Sequence, residues 1–143
     1  MSKWLLMTYK VPREPSANRV YVWRKLKQLG AIAVHDAAWV LPANARTQEQ
    51  FQWLAAEIKE LGGDVQVWNS ELADSEQSTS LVRQFSVQVD AELDLILKAI
   101  TKKRPDLKRL AQRYREATSR DYFQSPLGQK VREALLSVQR GRS

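Results

Sequence analysis

The chain has no cysteine and one histidine in 143 residues. The first absence excludes disulfides, thiolate metal sites and a thiol nucleophile, and fits a reducing compartment. With a single histidine, His35, and no carboxylate cluster to complete it, a metal site lacks ligands. No repeat or low-complexity tract appears. No apolar run approaches the roughly 20 residues of a membrane span. Met1-Ser2-Lys3-Trp4 carries one charge and too short an apolar run for a signal peptide. A cytoplasmic protein with no membrane partner is expected. The hydrophobic fraction of 43% is ordinary for a packed core.

Charge is what the chain has in excess, and it is uneven. The net value is +7. Residues 1–70 hold nine basic and six acidic residues, net +3. Residues 71–97 hold one base and six acids, net −5. Residues 98–143 hold thirteen bases and four acids, net +9. A basic tail behind an acidic belt points to a polyanionic partner, or to helices that attract one another.

The pattern of apolar residues gives the elements. Trp4 to Val11 is an almost continuous apolar run closed by Pro12, as a central strand is. A helix follows over Asn18 to Gly30, with Val22, Leu26 and Leu29 on one stripe. Ala31–His35 and Ala38–Leu41 read as strands separated by a tight break or bulge at Asp36-Ala37. Thr47 and Gln50 fit the two ends of a capping box. The helix behind them carries Phe51, Leu54, Ala55, Ile58 and Leu61, and Gly62-Gly63 ends it. Asp64–Asn69 alternates as a half-buried strand does.

The order βαββαβ is that of the ferredoxin-like fold, with both helices on one face of an antiparallel sheet. The opposite face then needs a cover. The fold class is α+β: a ferredoxin-like domain over 1–70, an acidic linker over 71–80, and a C-terminal all-helical segment over 81–143 that packs on the first domain. Its long helix is expected from Ser80, with Val82, Phe85, Val89, Leu93, Ile96 and Ile100 inward. Lys102-Lys103-Arg104 complement that helix's C-terminus. Pro105 suits the first turn of a helix with Leu107, Leu110, Ala111, Tyr114 and Ala117 on one face. Ser125-Pro126 caps a last helix carrying Val131, Leu135 and Val138.

Three segments carry a family resemblance: Trp4-Leu5-Leu6-Met7-Thr8-Tyr9-Lys10-Val11-Pro12-Arg13-Glu14-Pro15-Ser16, Val22-Trp23-Arg24-Lys25-Leu26-Lys27-Gln28-Leu29-Gly30-Ala31, and Trp39-Val40-Leu41-Pro42. Phe51-Gln52-Trp53-Leu54 and Arg120-Asp121-Tyr122-Phe123 extend it, so that it spans nearly the whole chain. Together they resemble the N-terminal domain of ChrB, the chromate-resistance regulator. More distant likenesses are the PaaX middle domain and the ferredoxin-like subunit of CRISPR adaptation. In the last group an aspartate ending the first strand supports a metal; here Lys10 stands in that region and repels one. The resemblance implies a DNA-associated transcriptional regulator involved in chromate or oxyanion resistance, with no catalysis and no cofactor. The further C-terminal domain of full ChrB proteins is absent from this sequence.

The expected anion- or DNA-binding residues are Lys10, Arg13, Arg19, Arg24, Lys27, Lys108, Arg109, Arg113 and Arg120, gathered on one surface. Arg13 and Arg19 flank the proline turn, where guanidinium groups suit phosphate or a tetrahedral oxyanion such as chromate; equally, Arg19 ties the helix start to Glu14. Arg24, Lys25 and Lys27 either track phosphates or form a solvated helix face. The five tryptophans are mostly core by spacing. Any on the open sheet face would stack bases. Asp121 is expected to pair with Arg120 or an arginine of the first domain, and Tyr122 and Phe123 to pack the helices onto the sheet. Two other functions fit: a homodimeric protein-interaction module without nucleic acid, and an enzyme on an anionic substrate, for which the sequence offers neither base nor metal.

Overall fold

The computed structural model describes residues 3–142, and the chain divides after Thr79 into two compact units. The first unit holds β1 (Trp4–Lys10), α1 (Ser16–Gln28), β2 (Ile32–His35), β3 (Ala38–Pro42), α2 (Ala45–Glu60) and β4 (Asp64–Ser70). The strands form one sheet in the order β2-β3-β1-β4, with every neighbouring pair antiparallel. This is the expected ferredoxin-like arrangement: each strand–helix–strand crossover skips over one strand.

Register explains the core. Leu5 and Met7 of β1 lie opposite Leu41 and Trp39 of β3, and Met7 and Tyr9 lie opposite Val67 and Val65 of β4. These side chains share a face because strand side chains alternate. Leu5, Met7, Trp39, Leu41 and Val65 are buried there, together with Val22 and Leu26 of α1 and Phe51, Leu54 and Ile58 of α2. The two-residue turn at Asp36-Ala37 puts Ala37 at φ 58. The register slip falls just before it, between Ala33 and His35, rather than at the turn itself. His35 is exposed on the edge strand. After α2, Gly62 turns at φ 83, and a Cβ on Gly63 would lie 2.6 Å from the Lys10 carbonyl oxygen. No other residue fits that approach.

Three boundaries differ from the sequence reading. The capping box of α2 sits one turn earlier: Asn44 Oδ1 accepts from Thr47 N–H at 2.8 Å, and Thr47 Oγ1 accepts from Asn44 N–H at 3.0 Å. Thr47 is wholly buried and its hydroxyl also donates to the Pro42 carbonyl, so it ties the helix start to the strand end. The helix α3 (Ser75–Ile100) begins five residues before Ser80, which shortens the acidic linker to Glu71–Asp74. Asp74 accepts from Glu76 N–H at 2.8 Å, and the buried Ser78 hydroxyl accepts from the Trp4 indole at 3.1 Å. These bonds override the low helix propensity of the serine-rich stretch. The helix α4 (Leu107–Thr118) starts after Asp106, whose carboxylate accepts from Arg109 N–H, so Pro105 precedes the cap instead of filling the first turn.

The second unit is helical. Val89, Leu93, Ile96 and Ile100 of α3, Leu107, Leu110 and Ala117 of α4, and Val131 and Leu135 of α5 (Pro126–Arg142) make one core. Ser125 caps α5 as expected, accepting from Leu127 N–H at 3.2 Å while its hydroxyl donates to Asp90.

Candidate nucleic-acid interface

The six residues joining α3 to α4 are Thr101-Lys102-Lys103-Arg104-Pro105-Asp106. Lys102, Lys103, Arg104, Lys108 and Arg109 are all exposed, five cations within eight positions. The hydrophobic pairing of α3 and α4 holds the two ends of this loop, and Arg104 takes a left-handed conformation at φ 58. The only acid among those eight positions, Asp106, is engaged by the backbone of Arg109. Lys108, Arg109 and Arg115 line a hollow of about 340 Å³ together with Asp106 and Gln112. Arg115 Nη2 donates to Gln112 Oε1 at 2.7 Å, which steadies its side chain along the helix. Such a cluster attracts phosphate groups and fixes no base sequence. Sequence reasoning assigned Lys102-Lys103-Arg104 to the end of α3. That helix stops at Ile100, which leaves the three cations in solvent.

The other expected cations divide. Arg113 is half-buried on α4. Arg120 is paired with Glu92 of α3, with 20% of its side chain exposed, so it serves the helical core rather than an open surface. Within its own unit Asp121 does not pair with Arg120: both its oxygens accept from Ser125 N–H, at 2.9 and 3.0 Å, and so help start α5. Tyr122 and Phe123 pack edge-on against Phe85 of α3, at 6.0 Å between ring centroids in each case.

In the first unit Lys10, Arg13, Arg19, Arg24 and Lys27 are exposed. Among the described residues Arg19 makes no ion pair with Glu14. Lys27 lies 5.8 Å from the Trp23 ring and 6.0 Å from the Trp39 ring, and Lys25 lies 5.6 Å from the Tyr21 ring. These cations rest on aromatic faces. The assignment of the tryptophans to the core holds for Trp4 and Trp39 alone. Trp23 is 49%, Trp68 53% and Trp53 69% exposed. Trp68 lies on the sheet face away from α1 and α2, its indole donating to Thr8 Oγ1 at 3.1 Å, while Thr8 in turn donates to Gln66.

Burial raises the Tyr9 hydroxyl above its ordinary value, against a hydrogen bond with Trp39 that lowers it. The Tyr21 hydroxyl donates to Glu57 and is raised by that bond. Asp94 holds the Lys98 ammonium protonated to higher pH through a 2.9 Å contact. Among the described residues no group of three His, Asp or Glu side chains is placed to hold a metal ion. No helix there is long and apolar enough to cross a membrane.

No solved structure matches the chain. Protein ChrB of Cupriavidus metallidurans is 34% identical over 74 residues, which is 52% of this chain and 23% of that protein. The chain therefore aligns with about a quarter of the relative's length. Residues 19–103 match the family described as Protein ChrB, N-terminal. That span runs from α1 to the first two cations of the α3–α4 loop. It is narrower than the near-complete resemblance read from the sequence, omitting the opening strand with its proline turn and the Arg120–Phe123 segment. Because the match covers more than half of the sequence, the chain belongs to the ChrB N-terminal family.

Proposed function

We propose that this protein is a DNA-associated transcriptional regulator acting in chromate or oxyanion resistance in the cytoplasm, without catalysis of its own. The observation that carries the nucleic-acid part is the α3–α4 loop with the first turn of α4, which together hold five exposed cations and one acid that is already engaged. Each cation that neutralises a phosphate releases condensed counterions, so affinity is sequence-tolerant and falls with salt. The chromate part rests on family membership alone. Exposed Arg13 and Arg19 flank the proline turn, and a guanidinium group suits an oxyanion by its charge and its paired donors. The test is fluorescence anisotropy of a labelled generic duplex across a salt series. Binding that weakens as salt rises supports the reading; no binding at low salt removes it.

A second reading is a homodimeric interaction module. The exposure of Trp23, Trp53 and Trp68 favours it, because aromatic side chains are enriched at interfaces. Light scattering separates the two readings: a dimer that ignores duplex DNA supports the second.

A further inference from the structure

The first unit contains a pocket of about 310 Å³ between α1 and α2. That size lies at the lower end of the roughly 300–1,000 Å³ of small-molecule sites. Its apolar part is made by Leu29 and Leu54, and beside them stands Trp53, 69% exposed. A large ring left in solvent has a face free for stacking. Gln50 also lines the pocket, and its side-chain oxygen is buried without a hydrogen-bond partner among the described residues. A carboxamide offers a donor and an acceptor side by side, the arrangement that pairs with the edge of a nucleobase. Lys25 and Arg46 bring two cations to the pocket, and neither has a carboxylate partner among the described residues.

We infer that this pocket binds a mononucleotide, with the base on Trp53, its edge at Gln50 and the phosphate at Lys25 and Arg46. A ring face for stacking, a buried carboxamide oxygen that a turn of the Gln50 side chain would bring to the ligand, and cations without a carboxylate partner are the three things a nucleotide satisfies together. An apolar metabolite would leave Gln50 and the cations unserved, and inorganic phosphate would leave Trp53 bare. Glu49 and Glu57 also line the pocket. Glu57 is engaged by the Tyr21 hydroxyl, and the negative charge of the two carboxylates disfavours a second or third phosphate. This site is independent of the α3–α4 loop and does not rest on its binding DNA.

The test is calorimetric titration of the full chain with AMP, adenosine and inorganic phosphate. AMP should bind with a dissociation constant of about 10 µM to 1 mM, adenosine more weakly, and phosphate alone not measurably. Trp53→Ala should weaken AMP about tenfold, the scale of one lost base–aromatic stack. Trp53 is exposed, so this variant keeps the fold, which circular dichroism checks. Arg46→Gln should weaken AMP but leave adenosine unchanged. An adenine oligodeoxynucleotide that competes with AMP identifies the ligand as a base of a single strand; one that does not identifies a free nucleotide. Absence of AMP binding, AMP affinity unchanged by Trp53→Ala, or AMP affinity lost on replacing Lys102 and Lys103 instead would overturn the assignment.

Discussion

The two units carry positive charge in different ways. In the first, Lys25 and Lys27 lie over the rings of Tyr21, Trp23 and Trp39. In the second, Lys102, Lys103, Arg104, Lys108 and Arg109 stand in solvent on a loop and the helix turn that follows it. A cation on a ring has part of its field answered locally, whereas a loop cation is balanced by solvent and counterions alone. Counting charge would rank the two regions by number. Their surroundings rank the loop first as a place for an extended polyanion, and the first unit as a place for a ligand that also offers a ring.

The comparison fails first if the loop's scaffold is not what holds it. Leu93→Ala, at a wholly buried position of the helical core, should cost about 2–5 kcal/mol in urea denaturation. A cost well below that range would mean the core is looser than its packing implies. Next in size is the effect on DNA. Replacing Lys102, Lys103, Arg104 and Lys108 with Gln should lower duplex affinity by about a hundredfold at moderate salt, since several phosphate contacts go together. The matching change of Arg19, Arg24, Lys25 and Lys27 should cost far less. Equal losses would erase the distinction between the two regions.

Smaller effects sharpen it. Asn44→Ala should destabilise the first unit by about 0.5–2 kcal/mol, the cost of losing an N-cap, read from the midpoint of urea unfolding. Thr47→Ala should cost more than Asn44→Ala, because it also strips a buried hydroxyl from the Pro42 carbonyl. The smallest effect is on pH dependence. The folded-state affinity of Tyr21 for its proton is raised above the ordinary 10.0, first by its bond to Glu57. The stabilisation from that bond is therefore complete below pH 10.0 and is lost as pH rises through the raised value. Tyr21→Phe should flatten the alkaline loss of stability, and an unchanged alkaline limb would show that the bond contributes nothing there.

The sheet and helices were legible because Val22 and Leu26, Phe51, Leu54 and Ile58, and Leu93, Ile96 and Ile100 keep the helical period. The cap of α2 was misplaced because two overlapping patterns share Thr47, and only the tertiary bond to Pro42 decides between them. The start of α3 was hidden because Ser75–Thr79 is polar, and the Trp4–Ser78 bond that fixes its first turn joins residues 74 apart. Trp23 and Trp53 each sit one residue off a buried stripe, next to Val22 and Leu54, and Trp68 sits beside the half-buried Val67, so hydrophobicity alone assigned them inward. The basic cluster was half legible: Lys108 and Arg109 of α4 stood out, but Lys102-Lys103-Arg104 of the loop looked like the end of a helix. Where a helix stops after Ile100 is a matter of backbone geometry, and the chain of cations does not announce it.

DNA binding, as proposed, brings phosphates onto the exposed loop cations. The most direct measurement is the slope of log affinity against log salt concentration for generic duplex DNA, in the native chain and in the variant with Lys102, Lys103 and Arg104 changed to Gln. Each phosphate contact contributes about 0.9 to that slope. The slope should be shallower by about two to three in the variant, with the circular dichroism spectrum unchanged. The same slope in both proteins would contradict it.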